Sequence, residues 1–261
     1  MIKDMQNINE VLKKQNSAMP EKVLQFGEGN FLRAFADWMI DTLNQKGAFL
    51  GKVVVVQPIQ FGMVELLNKQ EGQYTLIARG TQNAQTVEER QVVTAISRGI
   101  NPYVDCDAFM ACADNADMRV VISNTTESGI AYDPNDKLSD RPQSSFPGKV
   151  TALLYRRFQT FKGDMSKGFI FIPCELIDRN GDNLKAIVLR LANEWALGSE
   201  FIAWLENANY FANTLVDRIV TGYPKDEIEA LQKQLGYVDQ ALVTSEIFHL
   251  WVIELDQKVQ H

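Results

Sequence analysis

The strongest constraint on the fold of this chain is the alternation of short apolar runs with helical segments. The clearest run is "KVVVVQP" at 52–58, and "MRVVISNTT" at 118–126 and "KGFIFIPCEL" at 167–176 have the same character. An unbroken, β-branched run is typical of a strand buried on both faces, as in a parallel sheet. Parallel strands need crossover helices between them. The pattern therefore predicts an α/β fold with a doubly wound, mainly parallel sheet.

Helical periodicity fills the spaces between these strands. A first strand is predicted for "KVLQF" at 22–26, and a helix for 31–43 follows it. The apolar stripe of that helix consists of Phe31, Phe35, Trp38 and Ile40. Further helices are predicted for 106–114, 148–161, 183–196, 200–211 and 226–237.

Two segments depart from this alternation, and a long loop interrupts it. Residues 73–80 and 89–99 alternate apolar and polar side chains, which predicts an antiparallel strand pair inserted into the α/β pattern. Residues 131–148 are rich in Pro, Ser and Asp and predict a surface loop, because the α/β pattern resumes after them. Residues 1–20 are interpreted as an N-terminal extension and 21–261 as one domain.

Charge and cysteine content exclude several classes of protein. The formal net charge is −7, which argues against a nucleic-acid partner. The apolar runs are too short to span a membrane, and the first residues lack the apolar core of a secretory signal. Three cysteines without close spacing, Cys106, Cys112 and Cys174, predict reduced thiols rather than disulfides or a metal site. A cytoplasmic protein without a cysteine zinc site is expected.

The stretch "LQFGEGNFLRAF" at 24–35 places a glycine-rich turn between the first strand and the first helix. Such a turn suits the pyrophosphate of a dinucleotide: Gly27 permits the tight turn, and Gly29 lets the backbone approach the phosphates. Leu32 stands where the usual pattern has a third glycine, and Arg33 adds a cation able to reach a phosphate. The alternative is a turn in which the two glycines serve geometry alone.

The second strand ends without the acid that usually binds the adenosine ribose. Its tip carries Gln57, and no Asp or Glu follows before Glu65. An amide can hydrogen-bond a hydroxyl but neither attracts nor repels a 2′-phosphate strongly. The residues alone therefore leave the choice between NAD and NADP open.

Polar side chains follow two other predicted strands. Asn124, Thr125 and Glu127 come at the carboxyl end of a buried strand, where open α/β sheets bind ligands, and they are predicted to line the nicotinamide side. Capping of the strand end is the alternative. Glu175 and Asp178 form a carboxylate pair suited either to acid–base work or to capping the next helix.

Together these segments resemble the mannitol dehydrogenase family of polyol-specific long-chain dehydrogenases, most of all its altronate oxidoreductase (tagaturonate reductase) branch. The turn of that family reads G-x-G-x-F-x-R, so Leu32 and Arg33 fit it. The resemblance rests on "QFGEGNFLRAFADW" (25–38), "VVVVQPI" (53–59), "SNTTESGI" (123–130), "FIPCELIDRNGD" (171–182), "NTLVDRIVTGYP" (213–224) and "SEIFHLWVIE" (245–254).

The resemblance implies reversible hydride transfer between NAD and a sugar acid, interconverting tagaturonate and altronate in hexuronate catabolism. It implies no metal, because the family polarises the carbonyl with a lysine. Asp217, in "VDRIV", would lie near that lysine, whereas the residues alone favour an Asp217–Arg218 ion pair. The cofactor-binding residues that it implies, with those argued above, are Gly27, Gly29, Asn30, Phe31, Arg33, Gln57, Asn124 and Thr125.

Two departures from the family pattern affect the expected activity. The family's K-x-x-x-x-N-x-x-H motif opens a helical C-terminal domain, and it is not found here, since Lys258 and His261 have the wrong spacing. The chain is thus interpreted as a Rossmann-type cofactor half without its catalytic domain, with self-association expected through an uncovered apolar face. In addition, Leu176 replaces an asparagine of the mannitol-specific members.

Alternatives stay open on the sequence alone. They are a non-catalytic nucleotide-binding module, a truncated product, and a related fructuronate or mannitol dehydrogenase. His249, in the apolar stretch "IFHLWVI", is predicted to be a packed strand residue rather than a catalyst.

Overall fold

The computed structural model describes residues 5–13, 18–126 and 128–254. Glu127, Lys258 and His261, named above, lie outside the described residues. In chain order the elements are α1 (Ile8–Val11), β1 (Glu21–Phe26), α2 (Asn30–Arg33), α3 (Ala36–Gln45), β2 (Lys52–Val56), α4 (Val64–Lys69), β3 (Tyr74–Gln82), β4 (Gln85–Val93), β5 (Ile96–Ile100), α5 (Cys106–Ala111), β6 (Val120–Ser123), α6 (Phe146–Thr160), β7 (Ile170–Pro173), α7 (Asn180–Glu194), α8 (Ser199–Ala208), β8 (Tyr210–Phe211), β9 (Thr214–Asp217), β10 (Val220–Gly222), α9 (Ile228–Leu235), β11 (Val243–Glu246) and β12 (Leu250–Ile253).

Six strands form one parallel sheet in the order β5-β2-β1-β6-β7-β8. The chain runs outward from β1 on one side and then returns to β6 on the other, which is the doubly wound arrangement predicted from the sequence. One apolar cluster packs between the sheet and helices α5 to α8. A second covers the opposite face beneath α3, α4 and a smaller sheet. The predicted α/β class is confirmed.

The inserted strand pair belongs to that smaller, four-stranded sheet, whose order is β10-β11-β3-β4. The single strand predicted for 89–99 is wrong, because β4 ends at Val93 and β5 joins the parallel sheet. Between them, the backbone N–H and the hydroxyl of Thr94 both donate to Asp41 Oδ1, at 2.8 and 2.9 Å. This side-chain contact redirects the chain from one sheet to the other.

The helix predicted for 31–43 is also divided, into α2 and α3. Phe35 leaves the helical region, with φ −127° and ψ −85°. The carbonyl oxygens that a continuous helix would use are taken by distant side chains: Tyr74 Oη donates to the carbonyl of Arg33, and Arg218 donates to that of Ala34. Tertiary hydrogen bonds therefore replace the helix ladder at this point.

The other predicted helices are present with shifted ends. The segment predicted as a helix over 200–211 is helical only to Ala208, because Tyr210 and Phe211 pair with β7 as the edge strand β8. Near the N-terminus, Ile8 is buried, and its N–H donates to the carbonyl of Val238 at 2.9 Å. Among the described residues, no helix combines the length and apolar character needed to cross a membrane.

Candidate cofactor site

The glycine turn lies where β1 ends, between the ends of β2 and β6. Gly27 has φ +117°, and a Cβ there would lie 2.8 Å from the carbonyl oxygen of Asn124. Its N–H donates to the carbonyl of Val56 at 3.0 Å, and its own carbonyl accepts from Gln25 Nε2 at 3.0 Å. Both the backbone conformation and the close approach require glycine, so the first glycine of the motif is fixed by the fold.

The second glycine faces open space. A Cβ at Gly29 would meet nothing within 4 Å, and Gly29 and Asn30 are exposed. The hydrogen bonds of α2 begin with Arg33 N–H donating to the carbonyl of Gly29, so the N–H groups of residues 30–32 are not used by that ladder. An open glycine beside free backbone N–H groups is what close binding of a phosphate requires.

Arg33 is placed differently from the expectation that it reaches a phosphate. Its side chain is buried, and it donates from Nε to the carbonyl of Glu28 at 3.1 Å, from Nη1 to the carbonyl of Ala241, and from Nη2 to Asn30 Oδ1 at 2.6 Å. The guanidinium also lies over the ring of Tyr74, and burial lowers its pKa. Arg33 holds the turn from inside the protein rather than presenting a cation at its open side.

The two residues between Gly29 and Leu32 support the turn in different ways. The amide oxygen of Asn30 accepts a hydrogen bond from Arg33. The amide nitrogen of Asn30 packs beside Gly222, where an added Cβ would lie 2.7 Å from that nitrogen. Phe31 is half-buried, and its ring stacks on Phe35 at a centroid distance of 4.9 Å. Their side chains are therefore structural, and their backbone N–H groups are left unused by the hydrogen bonds of α2.

Gln57 lies at the tip of β2, as predicted, but both ends of its amide serve its own loop. Nε2 donates to the carbonyls of Ile59 and Gln60 at 2.9 and 3.0 Å, and Oε1 accepts from the N–H of Val64 at 3.4 Å. The side chain is only 2% exposed. Gln57 therefore shapes the loop 57–63 beside the glycine turn.

Sequence reasoning missed Glu28, the residue between the two glycines. Its Oε1 accepts from the N–H of Met63 at 3.3 Å, which brings a carboxylate to the loop after β2. Burial raises the pKa of Glu28, against the opposing effects of backbone N–H groups and of the Arg33 charge. The sequence did contain a signal for Glu28. An acid stands between the two glycines of the turn, in a chain whose second strand does not end in an acid.

Asn124 and Thr125 extend the site along the ends of β6 and β7. Asn124 Nδ2 donates to the carbonyl of Cys174 at 2.8 Å. Glu175 Oε1 accepts from the N–H and the hydroxyl of Thr125 at 3.0 and 2.9 Å, and its Oε2 accepts from Ser123 at 2.9 Å. Burial is the main reason that the pKa of Glu175 is raised. The carboxylate clamps the segment after β6 to the segment after β7.

Asp178 does not join this cluster and does not cap α7 through its side chain. The residue before α7 is Arg179, in the left-handed region at φ +50°, and it makes no side-chain cap. Asn180 fastens this corner instead: its Nδ2 donates to the carbonyls of Pro173 and Glu175, and its Oδ1 accepts from the N–H of Thr214 at 2.9 Å.

Asp217 lies at the end of β9, on the exposed face of the two-stranded sheet β9–β12, opposite Leu250. The alternative of an Asp217–Arg218 ion pair is wrong, since the Arg218 guanidinium is taken by the carbonyls of Glu246 and Ala34. The predicted packed strand position of His249 is wrong as well. It is exposed between β11 and β12, with its ring edge on Trp38, because the chain turns there.

All three cysteines are free thiols, and burial raises the pKa of each, that of Cys112 to about 11. A raised thiol pKa opposes nucleophilic chemistry. Leu176, after β7, is 63% exposed and brings no polar group to this edge of the sheet.

The fold and the turn define a Rossmann-type α/β protein with its ligand edge at the carboxyl ends of β1, β2, β6 and β7. The sequence profile of the mannitol dehydrogenase Rossmann domain matches residues 21–261. The chain belongs to the mannitol dehydrogenase family.

Relatives of about half identity agree with this assignment. The chain is 49% identical over 250 residues to the altronate oxidoreductase of Bacillus subtilis, covering 96% of this chain and 52% of that protein. It is 52% identical over 240 residues to the altronate oxidoreductase of Bacteroides thetaiotaomicron, covering 92% and 50%. The chain thus spans about half the length of the curated relatives it matches.

Two solved structures share the fold. One is Pseudomonas fluorescens mannitol 2-dehydrogenase in a ternary complex with NAD and D-mannitol, with a TM-score of 0.81 at 19% identity, covering 96% of this chain and 54% of that one. The other is a substrate-free D-sorbitol dehydrogenase, with a TM-score of 0.77 at 22% identity, covering 94% and 52%.

Proposed function

We propose that this chain is the NAD-binding part of an oxidoreductase that interconverts tagaturonate and altronate in hexuronate catabolism. The observation that carries the proposal is the glycine turn, in which Gly27 is forced by the fold and Gly29 is open to a ligand. Relatives named altronate oxidoreductase, at about half identity, support the reaction and its sugar-acid substrate. A cytoplasmic location, as the free thiols suggest, is part of the proposal.

The residues present fit the cofactor. The backbone N–H groups of residues 30–32 would hold the pyrophosphate, and Arg33 keeps that turn rigid by its three internal hydrogen bonds. Asn124 and Thr125 would border the nicotinamide, with Asn124 held by its hydrogen bond to the carbonyl of Cys174 and Thr125 by the Glu175 carboxylate. When bound there, NAD would supply the hydride acceptor for altronate oxidation. Asp217 is proposed as a supporting residue of the active site.

The cofactor proposal is tested by calorimetric titration of the chain with NADH and, in parallel, with NADPH. NADH is expected to bind more tightly. Binding of neither cofactor would contradict the proposal and favour a domain that keeps the fold without the reaction.

A substitution of Gly29 separates binding from folding. Gly29 has ordinary backbone angles, at φ −66°, and there is room around it for a methyl group. The melting temperature of Gly29→Ala is therefore expected to stay near that of the wild type. The methyl group would stand where the phosphates approach, and we expect NADH affinity to fall about tenfold or more, a loss of about 1.4 kcal/mol. Unchanged affinity would show that the open side of the turn is not the phosphate site.

The substrate class is tested by equilibrium binding of altronate and of mannitol to the protein loaded with oxidised NAD. Because the relatives at about half identity are named altronate oxidoreductase, altronate is expected to bind more tightly. Tighter binding of mannitol would favour the polyol alternative.

Self-association is also part of the proposal. Leu215 and Val252 face each other across β9 and β12 on the exposed side of that sheet, with Leu250 beside them. Ile219 and Phe248, in the adjoining turns, are 62% and 53% exposed. Contiguous exposed apolar surface favours association. Light scattering is expected to show species larger than a monomer as concentration rises, and a monodisperse monomer at high concentration would contradict this.

A further inference from the structure

The end of β2 lacks the acid that dinucleotide-binding folds use to bind the adenosine ribose, and Gln57 does not replace it. The amide of Gln57 is used within its own loop, by the carbonyls of Ile59 and Gln60 and the N–H of Val64. Both Nε2 hydrogens are used in these bonds, and Gln57 is only 2% exposed, so its amide is not open to a ribose hydroxyl. The ribose position thus needs another polar group.

A carboxylate reaches the same place from the glycine turn. Glu28 leaves the turn toward the loop 57–63, where its Oε1 accepts from the N–H of Met63 at 3.3 Å. The loop makes room for it, since a Cβ at Gly62 would lie 2.0 Å from Glu28 Oε1 and 2.5 Å from Gln57 Oε1. The glycine at position 62 therefore allows the carboxylate to lie against the end of β2.

Burial of this carboxylate also costs free energy of folding. Glu28 is only 8% exposed, and Arg33, whose charge acts on it, gives its hydrogen bonds to carbonyl and amide oxygens. A buried carboxylate without an ion partner opposes folding, whereas a neutral amide could accept the same N–H of Met63 at less cost. A carboxyl group kept at such a position, where an amide would serve the loop as well, indicates a ligand that needs it.

The surroundings suit an adenosine. Ile59 and Phe61, in the loop beside the carboxylate, are 62% and 79% exposed. Exposed apolar and aromatic side chains next to a polar anchor are typical of a site for a flat heterocycle joined to a sugar. The open Gly29 lies one residue from Glu28, on the side where the phosphates would continue.

We propose that Glu28 performs the role of the missing acid of β2: its carboxylate accepts a hydrogen bond from the 2′-hydroxyl of the adenosine ribose and repels the 2′-phosphate of NADP. This inference rests on the proposed cofactor function and assigns its specificity to one residue. Glu28 is a binding residue in this role, with no part in hydride transfer.

The test compares Glu28→Gln with the wild type by titration with NADH and NADPH. The amide keeps an acceptor for Met63 N–H and removes the charge. A hydrogen bond to a charged group contributes more than one to a neutral group, so NADH affinity is expected to fall about tenfold. NADPH affinity is expected to stay the same or rise, so the preference for NADH falls at least tenfold. Glu65→Gln, an exposed acid at the start of α4, is the matched control and should change neither affinity.

Each outcome decides between the two proposals. An unchanged NADH-to-NADPH preference in Glu28→Gln, or equal weakening of both cofactors, would overturn the role of Glu28 while leaving the cofactor function intact. Failure of the wild type to bind either cofactor would overturn both. The melting temperature of the unliganded variant reports on folding independently of binding.

A second measurement needs no variant. The wild type is titrated with NADH and with its analogue that lacks the 2′-hydroxyl of the adenosine ribose. About tenfold weaker binding of the analogue is expected, because the carboxylate loses its donor. Equal binding of the two would overturn the proposal even if Glu28→Gln did not fold.

Discussion

Replacing Arg33 with methionine is expected to lower the free energy of unfolding by roughly 3–5 kcal/mol, because each buried acceptor left without its donor costs about 1–3 kcal/mol. The carbonyls of Glu28 and Ala241 and the amide oxygen of Asn30 would lose their donors together. Methionine keeps much of the side-chain volume, so the loss reports the hydrogen bonds together with the contact of the guanidinium on the Tyr74 ring. Urea unfolding of the unliganded chain measures it.

The control for this experiment is Arg90→Met. Arg90 is exposed on β4, where it pairs with Glu88 and donates to Gln234. Exposed ion pairs contribute about 0–1 kcal/mol, so this variant should unfold close to the wild type. A loss at Arg33 no larger than that at Arg90 would contradict the structural role, and an Arg33→Met chain of full stability that no longer bound NADH would instead favour direct phosphate contact.

The second large effect concerns Asp37, which is fully buried beside Gln25. Burial raises the pKa of Asp37 from 3.8 to about 7, although the hydrogen bond from Gln25 Nε2 and the charge of Arg33 oppose the shift, while Asp41 adds to it. Asp37 Oδ1 and Gln25 Oε1 have no hydrogen-bond partner among the described residues. A proton on the carboxyl would supply a donor where two acceptors lack one.

The folded state therefore holds a proton that the unfolded state releases near pH 4. The stabilisation from Asp37 is complete below the unfolded pKa, and it is lost as the pH rises toward about 7. At up to about 1.4 kcal/mol per pH unit, the loss amounts to roughly 4 kcal/mol. Asp37→Asn mimics the protonated acid and should be more stable than the wild type at pH 8.

Urea unfolding across this pH range measures the difference. The gap between Asp37→Asn and the wild type should widen from about pH 4 to 7 and then level off. Asp226→Asn, an exposed acid, should follow the wild-type curve throughout. A constant gap at every pH would mean that Asp37 is already ionised in the folded protein at pH 4.

Asp37 also bears on the cofactor site. Gln25 Nε2 donates both to Asp37 and to the carbonyl of Gly27 at 3.0 Å, so the buried acid is one hydrogen-bonded step from the glycine turn. Gly27 in turn approaches Asn124 after β6. The turn is thus held by residues of its own strand, by α3 and by the neighbouring strand. These contacts explain why the backbone conformation of Gly27 is fixed.

Local sequence patterns predicted the features of the structure that depend on neighbouring residues alone. The unbroken, β-branched apolar run of β2 is typical of a strand buried on both faces, and the crossover that a parallel sheet needs follows from chain connectivity. The turn at Gly27 was predictable because a tight strand-to-helix turn with positive φ requires glycine wherever it occurs.

Other features depended on partners far away in sequence. The break between α2 and α3 arises because Tyr74 and Arg218 take the carbonyls of Arg33 and Ala34, and the step from β4 to β5 arises because Asp41 binds Thr94. No local periodicity contains that information.

The candidate site also combines features that local sequence sets with features that distant residues set. The sequence by itself determined the fold class, the glycine turn and the strand ends at which a ligand would bind, because these depend on hydrophobic pattern and backbone geometry. Only the tertiary structure decided which way the charges point. It placed the Arg33 guanidinium in the interior and brought the Glu28 carboxylate to the end of β2, since the direction of a long side chain is set by the acceptors and free space that distant segments provide.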